Sequence, residues 1–183
     1  MSIEALLKAV PLPTQPLSAF DGPWEPIEAE LGVTMPQDYK DLMRLYGYGR
    51  FFEFLGINTP VGENFNVRLA SQARLICDDF QTMREDVPYP LWPESGGLLP
   101  LGGTDNADRL MWLTRGRPEE WSVVVWGRAF LSFEEFDCDL TSFLAGLATG
   151  EIVPRELPDD LFSCDDLFVP FRLEPRRGFH GQI

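Results

Sequence analysis

The chain is poor in the residues that most often carry catalysis and metal binding. It holds 1 histidine in 183 residues, His180, close to the last position. A general base must be held within hydrogen-bond reach of its target, and chain ends are the least constrained part of a fold. This leaves no Ser-His-Asp or Cys-His arrangement and no histidine-based metal site. Cysteine is also scarce. Cys77, Cys138 and Cys164 are odd in number, far apart and match no C-x-x-C spacing, which excludes a disulfide framework and a zinc knuckle. Cys77 and Cys138 read as buried, inert thiols. Cys164 reads as more exposed, but blunted by the neighbouring Asp165 and Asp166.

Glycine signatures for phosphate are missing too. No G-x-G-x-x-G follows a strand, no G-x-x-x-x-G-K-[ST] occurs, and no segment has the oxygen-ligand spacing of a calcium loop. No cofactor and no metal are expected, and the reading is non-enzymatic. Long apolar runs are lacking: Ser122 to Trp126 is typical of the longest, so nothing spans a bilayer. Glu4 and Lys8 interrupt the apolar start that a signal peptide needs, and the cytoplasm is the expected compartment. Basic charge is short: 15 Lys and Arg stand against 29 Asp and Glu, a net charge of -14. Phosphate backbones and anionic lipid would repel such a chain, which excludes nucleic acid and membrane surfaces as partners. Arg172, Arg176 and Arg177 make the nearest approach to a basic patch, and they read as solvated or paired with the acids before them.

What is present suits one folded domain. The apolar fraction is 44%, with 14 phenylalanines, enough for a sizeable core. Apolar residues at helical spacing mark residues 2–10 (Ile3, Leu6, Leu7, Val10), a stripe of Trp24, Ile27 and Leu31 closed by Gly32, and a helix carrying Tyr39, Leu42, Met43 and Tyr46. For the Trp24 helix Asp21 is the expected cap and Pro23 the first-turn proline; Pro36 and Asp38 suit the start of the next. Arg50 to Ile57 reads as a strand or bent edge segment, and residues 65–86 as a longer helical pattern through Leu69, Leu75, Ile76, Phe80 and Met83. From Gly96 the character changes. Leu98–Leu101, Leu110–Leu113, Trp121–Trp126 and Ala129–Phe133 read as four short strands, with the GGTDNAD stretch as one turn and Gly127-Arg128 as another. Asp139 then caps a helix over Leu140–Ala148, closed by Gly150. N-terminal helices, a central antiparallel meander and a closing C-terminal helix make an α+β fold. The domain is expected over 20–150, preceded by a helix and Pro-rich lead (1–19) and followed by an acidic, apolar appendage (151–183).

That appendage is the least ordinary part. From Ala129 to Phe171 ten carboxylates face a single base, Arg155, a net of -9. Leu157, Leu161, Phe162, Leu167, Phe168, Val169 and Phe171 are too apolar for a solvated tail. They either strap back over the domain or form part of a partner or homodimer surface.

Four blocks occur in an order that resembles the SUKH superfamily, the Smi/Knr-like domain. They are Trp24-x-x-Ile27-Glu28-x-x-Leu31-Gly32 leading to Met35-Pro36-x-Asp38-Tyr39; Tyr46-Gly47-x-Gly49 with Phe51; Gly97 to Gly103 with Asp105 to Asp108 and Trp112; and Pro118-x-x-Trp121-x-Val123-Val124-Val125 with Phe133, Phe136 and the Leu140 helix. The family's glycine-aspartate turn stands here as Asn106-Ala107-Asp108. The resemblance implies a binding protein. Bacterial members look like immunity proteins that neutralise a cognate toxin by direct contact, and eukaryotic members resemble intracellular regulatory scaffolds. Acidity fits a basic, nuclease-type toxin as partner. The partner-binding residues expected on this reading are Asp105, Asp108, Glu134, Glu135, Asp137, Asp159, Asp160, Asp165 and Asp166, with Phe162 and Phe168 as apolar anchors.

Overall fold

The strands that read as uninterrupted apolar runs are those with both faces covered. In this computed structural model, which describes residues 2–173, the elements are α1 (Ser2–Ala9), α2 (Glu25–Leu31), α3 (Gln37–Leu45), β1 (Gly49–Phe51), β2 (Leu55–Ile57), α4 (Leu69–Thr82), β3 (Leu98–Thr104), β4 (Arg109–Leu113), β5 (Ser122–Gly127), β6 (Ser132–Phe136), α5 (Leu140–Thr149) and β7 (Phe168–Pro170). The strands form one antiparallel sheet in the order β6-β5-β4-β3-β2-β1-β7. Successive residues of β4 and β5 alternate between two cores. Leu110, Trp112, Val123 and Val125 join Leu6, Tyr39, Leu42 and Phe143 in the larger one. Met111, Leu113, Val124 and Trp126 join Ile76 and Phe80 of α4 in the smaller. Burying a side chain of this kind contributes about 1.5–3 kcal/mol. Buried hydroxyls are satisfied: Tyr39 donates to Asn58 O at 2.7 Å and Tyr46 to Val10 O at 2.7 Å. The fold is α+β, with the meander β3–β6 followed by the closing helix in the order the sequence places them.

Both ends of α5 follow from local chemistry. The Asp139 carboxylate accepts from Ser142 N at 2.8 Å, and Gly150 ends the helix at φ +72°. Asp38, expected to serve only its own helix, also accepts from Thr141 N at 3.1 Å and so ties α3 to the start of α5. Burial, and after it the nearby Asp139 charge, pushes the Asp38 carboxyl up to about 6.

Other expectations are corrected. The second helix starts at Glu25 behind Trp24, with Pro26 in its first turn, so neither Asp21 nor Pro23 caps it. Trp24 packs edge-on against Phe20 and Tyr39 (ring centroids 4.9 and 5.8 Å), which fixes the approach to the helix more firmly than a local cap. Helix α4 begins only at Leu69, because Asn64 O takes the Val67 and Arg68 amides in a turn. Leu7 and Leu75 lie exposed on their helices. Arg50 to Ile57 is a hairpin, not one strand. Gly102-Gly103 is part of β3 beyond a bulge at Pro100/Gly102; a Cβ on Gly102 would stand 2.4 Å from Gly56 O, so the glycine serves close strand approach. Strand β6 starts three residues later than expected: Gly127 pairs with Ser132, and Arg128 to Leu131 form the turn.

Past Gly150 the chain straps back. Leu157 and Leu161 are buried in the larger core, and β7 pairs with β1 as an outer strand. Arg176, Arg177 and His180 lie outside the described residues.

Candidate functional site

Antiparallel order brings the β1–β2, β3–β4 and β5–β6 turns to the same end of the sheet. The strap runs along that end. Its Glu156 accepts from the Ser132 hydroxyl beside β6, and its Leu167 O accepts from Phe52 N at 3.0 Å beside β1. These turns hold Phe52, Glu53, Ala107 and Leu131, four of the five non-glycine residues with positive φ among the described residues. Each such conformation costs about 1 kcal/mol in an L-residue and is kept only where surrounding structure enforces it. Phe54 N donates to Phe51 O at 3.0 Å, closing a turn whose two central positions, Phe52 and Glu53, are both left-handed. That geometry favours Asn-Gly.

The turn end carries exposed carboxylates from separate elements: Glu53, Asp105, Asp159, Asp160, Asp165 and Asp166. Asp105 pairs with Arg50. Glu53, Asp160 and Asp165 surround Cys164, whose Sγ donates to Phe52 O at 3.4 Å. Burial, and then these three charges, push the Cys164 thiol up. Burial likewise lifts Cys77 to about 12 and Cys138 to about 11, so all three thiols stay protonated at neutral pH. At the β5–β6 tip, Phe130 is 77% and Leu131 51% exposed. Behind Asp165 and Asp166 lies a groove of about 550 Å³ between the Pro-rich lead (Pro11, Leu12, Leu17) and the strap (Leu167, Pro170). Among the described residues no three His, Cys, Asp or Glu side chains converge as a metal site. No described helix is long and apolar enough to cross a membrane.

The structure divides the expected partner-binding residues. Asp105, Asp159, Asp160, Asp165 and Asp166 share the turn end. Asp108 does not serve as surface: it is 3% exposed, accepting from the Thr104 hydroxyl at 2.7 Å and from Arg128 N at 3.0 Å, which holds the β3–β4 turn together. Phe168 is not an outward anchor either. Its ring packs on Phe51 (4.7 Å) and Tyr46 (5.2 Å) over the bare Cα of Gly49 and fastens β7. Glu134 and Glu135 lie along β6, with Asp137 just past its end, at the far sheet edge from β7. Glu134 pairs with Arg155 (3.7 Å) and Glu135 accepts from Ser122 (2.9 Å), while Asp137 is exposed. The Phe162 side chain lies outside the described set. Sequence reasoning missed Glu53, a lone acid within an aromatic run, and Phe130-Leu131, which alternate as a strand would.

A family model described as SMI1-KNR4 cell-wall (SUKH_6) matches residues 21–144, from just before α2 into α5. The strap and β7 lie beyond it. No curated protein and no solved structure matches the chain. The matched span takes in α2 to α4, the β1–β2 hairpin, the whole meander and half of α5, and on that match the chain belongs to the SUKH superfamily, in its SMI1-KNR4 cell-wall branch.

Proposed function

We propose that the chain is a non-catalytic, cytoplasmic binding protein that neutralises a basic partner protein by stoichiometric contact, in the manner of an immunity protein toward its toxin. The observation that carries this reading is the turn end itself. Six exposed carboxylates from the β1–β2 turn, the β3–β4 turn and the strap share the end of the sheet that also presents an exposed aromatic at the β5–β6 tip. Carboxylates steer a basic partner and set the association rate, whereas a desolvated aromatic supplies affinity. Strained turns support the same reading, because strain held at one end of a sheet preorganises the surface that meets a partner. Membership of the SUKH superfamily is compatible with immunity and with regulatory roles alike.

The test is co-expression with the toxin encoded beside the gene, scored for rescue of growth and for a 1:1 complex on gel filtration. Rescue should be lost with Phe130→Ser while the free protein stays folded. Absence of both rescue and complex sinks the immunity reading. Stable capture of an unrelated host protein through the same surface would support a scaffold role instead.

A further inference from the structure

A half-buried arginine without a carboxylate in contact is an uncommon thing in a chain with 29 acids and 15 bases. Arg109, the first residue of β4, is such a group. Among the described residues it makes no ion pair within 4.0 Å, although Arg50 nearby pairs with Asp105. Its guanidinium lies over glycine: a Cβ on Gly103 would stand 3.3 Å from Arg109 Nη1. The Gly102-Gly103 pair thus clears space for a side chain as well as for strand β2.

Arg109 stands where two cavities between α4 and the sheet adjoin, since it and Ile76 line both. One, of about 160 Å³, is polar and floored by Gly56, Gly102 and Gly103. The other, of about 360 Å³, is walled by Phe80, Met83 and Trp126, with Arg128 at its rim. Phe80 and Trp126 meet edge to face at 5.1 Å, a preformed aromatic wall. The charges around Arg109 are accounted for. Asp108 has its oxygens engaged by Thr104 and by Arg128 N, and Asp79 at the rim lies outside ion-pair distance. Burial first, and the Arg128 charge after it, lower the Arg109 pKa, while Asp79 and Asp108 oppose that change.

We infer that this cleft binds a small aromatic monocarboxylate, its ring against Phe80 and Trp126 and its carboxylate on the Arg109 fork with Arg128 alongside. A guanidinium recognises a carboxylate through two parallel N–H donors, and about 360 Å³ falls in the range of small-ligand sites. Asp79 and Asp108 partly offset the charges of Arg109 and Arg128, so the second negative charge of a phosphate meets more repulsion than a single carboxylate does. This assignment does not require the toxin-binding reading, because the ring and carboxylate contacts are Phe80, Trp126, Arg109 and Arg128 between α4 and the sheet face, although the cleft's rim reaches the β3–β4 and β5–β6 turns through Ala107 and Arg128.

The experiment is a titration of the whole ¹⁵N-labelled chain with indole-3-acetate, following the Trp126 indole N–H, with indole-3-acetamide, acetate and phenyl phosphate as comparators. Indole-3-acetate should saturate with a dissociation constant of about 0.1–1 mM, as expected for a ligand of this size. The amide, acetate and phenyl phosphate should each bind at least about tenfold more weakly. Arg109→Gln should weaken indole-3-acetate by about tenfold or more, and Arg109→Lys, which keeps the charge but loses the fork, by an intermediate factor. Arg128→Gln provides a second variant at an exposed position on the rim, expected to weaken binding by a few-fold. Equal binding of acid and amide overturns the assignment. So does unchanged affinity in a folded Arg109→Gln chain, or no saturable shift at Trp126 up to about 10 mM.

Discussion

Glu53 shows how one residue can be costly for the fold and useful at the surface. It occupies a left-handed turn position at φ +53°, where glycine would be relaxed, and adds a negative charge beside Asp160 and Asp165. Ala107, at φ +67°, has the same backbone cost without a charge. Relieving a left-handed L-residue gains about 1 kcal/mol, and the extra freedom of glycine in the unfolded chain returns roughly half of it. Ala107→Gly should therefore raise stability by about 0.5 kcal/mol in urea denaturation. Glu53→Gly should do the same and slow association with a basic partner, whereas Ala107→Gly should leave that rate unchanged. Asp38 makes a second residue-scale prediction. Its carboxyl is raised from 3.8 to about 6 by burial and by Asp139, against amide bonds from Thr141, Tyr39 and Leu140. A raised acid favours the protonated folded state, so the stability tied to that proton is whole below about pH 4 and lost as pH climbs through about 6. The stability of Asp38→Asn relative to the unmutated chain should rise by about 1–2 kcal/mol between pH 4 and 7, measured by paired urea melts. A pH-independent difference would show that Asp38 stays ionised.

At the scale of elements, what was readable depended on how local the cause is. Helix α5 was legible to both ends because Asp139 and Gly150 act within a turn of the helix they bound. The meander was legible because β4 and β5 are continuous apolar runs. Strand β7 was not, since Phe168 to Pro170 has no strand signal of its own. It becomes a strand because Gly49 leaves room, Tyr46 and Phe51 accept the Phe168 ring, and Arg50 pairs with Val169. The β5–β6 turn was misplaced for a related reason. Trp126 must oppose Phe133 on the face covered by α4, and that tertiary demand moved the turn past Gly127. The candidate site inherited both failures: the acids of the strap were visible, but neither their meeting with Glu53 nor the exposure of Phe130 was. Fastening through one ring gives a clear expectation. Phe168→Ala should cost about 2–3 kcal/mol, less than a fully buried phenylalanine because this ring is only partly covered. It should raise amide exchange at Arg50 and in the strap while leaving β4 and β5 protected, as hydrogen exchange would report. Uniform loss of protection would mean that the strap and meander unfold as one unit.

Charge is a property of the whole molecule, and its distribution separates two surfaces. From β6 to β7 the sheet takes six inter-strand steps of about 4.8 Å, so the acids along β6 lie roughly 29 Å from the β7 edge. Glu134 is paired with Arg155, and Glu135 accepts hydrogen bonds from Ser122 and Tyr89; they serve the edge of the sheet. At the turn end Asp159, Asp160, Asp165 and Asp166 make no ion pair within 4.0 Å among the described residues, and Glu53 stands among them. Like charges held together in a folded chain oppose folding, and salt relieves them within a Debye length of about 10 Å at 0.1 M. The ion pairs elsewhere are exposed or partly so, and screening them costs little. Net repulsion should therefore dominate, and the urea midpoint should rise as NaCl goes from about 10 to 500 mM. Replacing all four aspartates by Asn should stabilise the chain by about 1 kcal/mol at low salt and remove much of that salt response. The same variant should associate with a basic partner about tenfold more slowly, with little change in dissociation rate. Phe130→Ala should show the opposite split, speeding dissociation while leaving both association and the salt response of the free protein as they were. A four-Asn variant that associates with a basic partner as fast as the starting chain would mean that these acids are spaced for solvation alone, and the turn end would lose its claim as the partner surface.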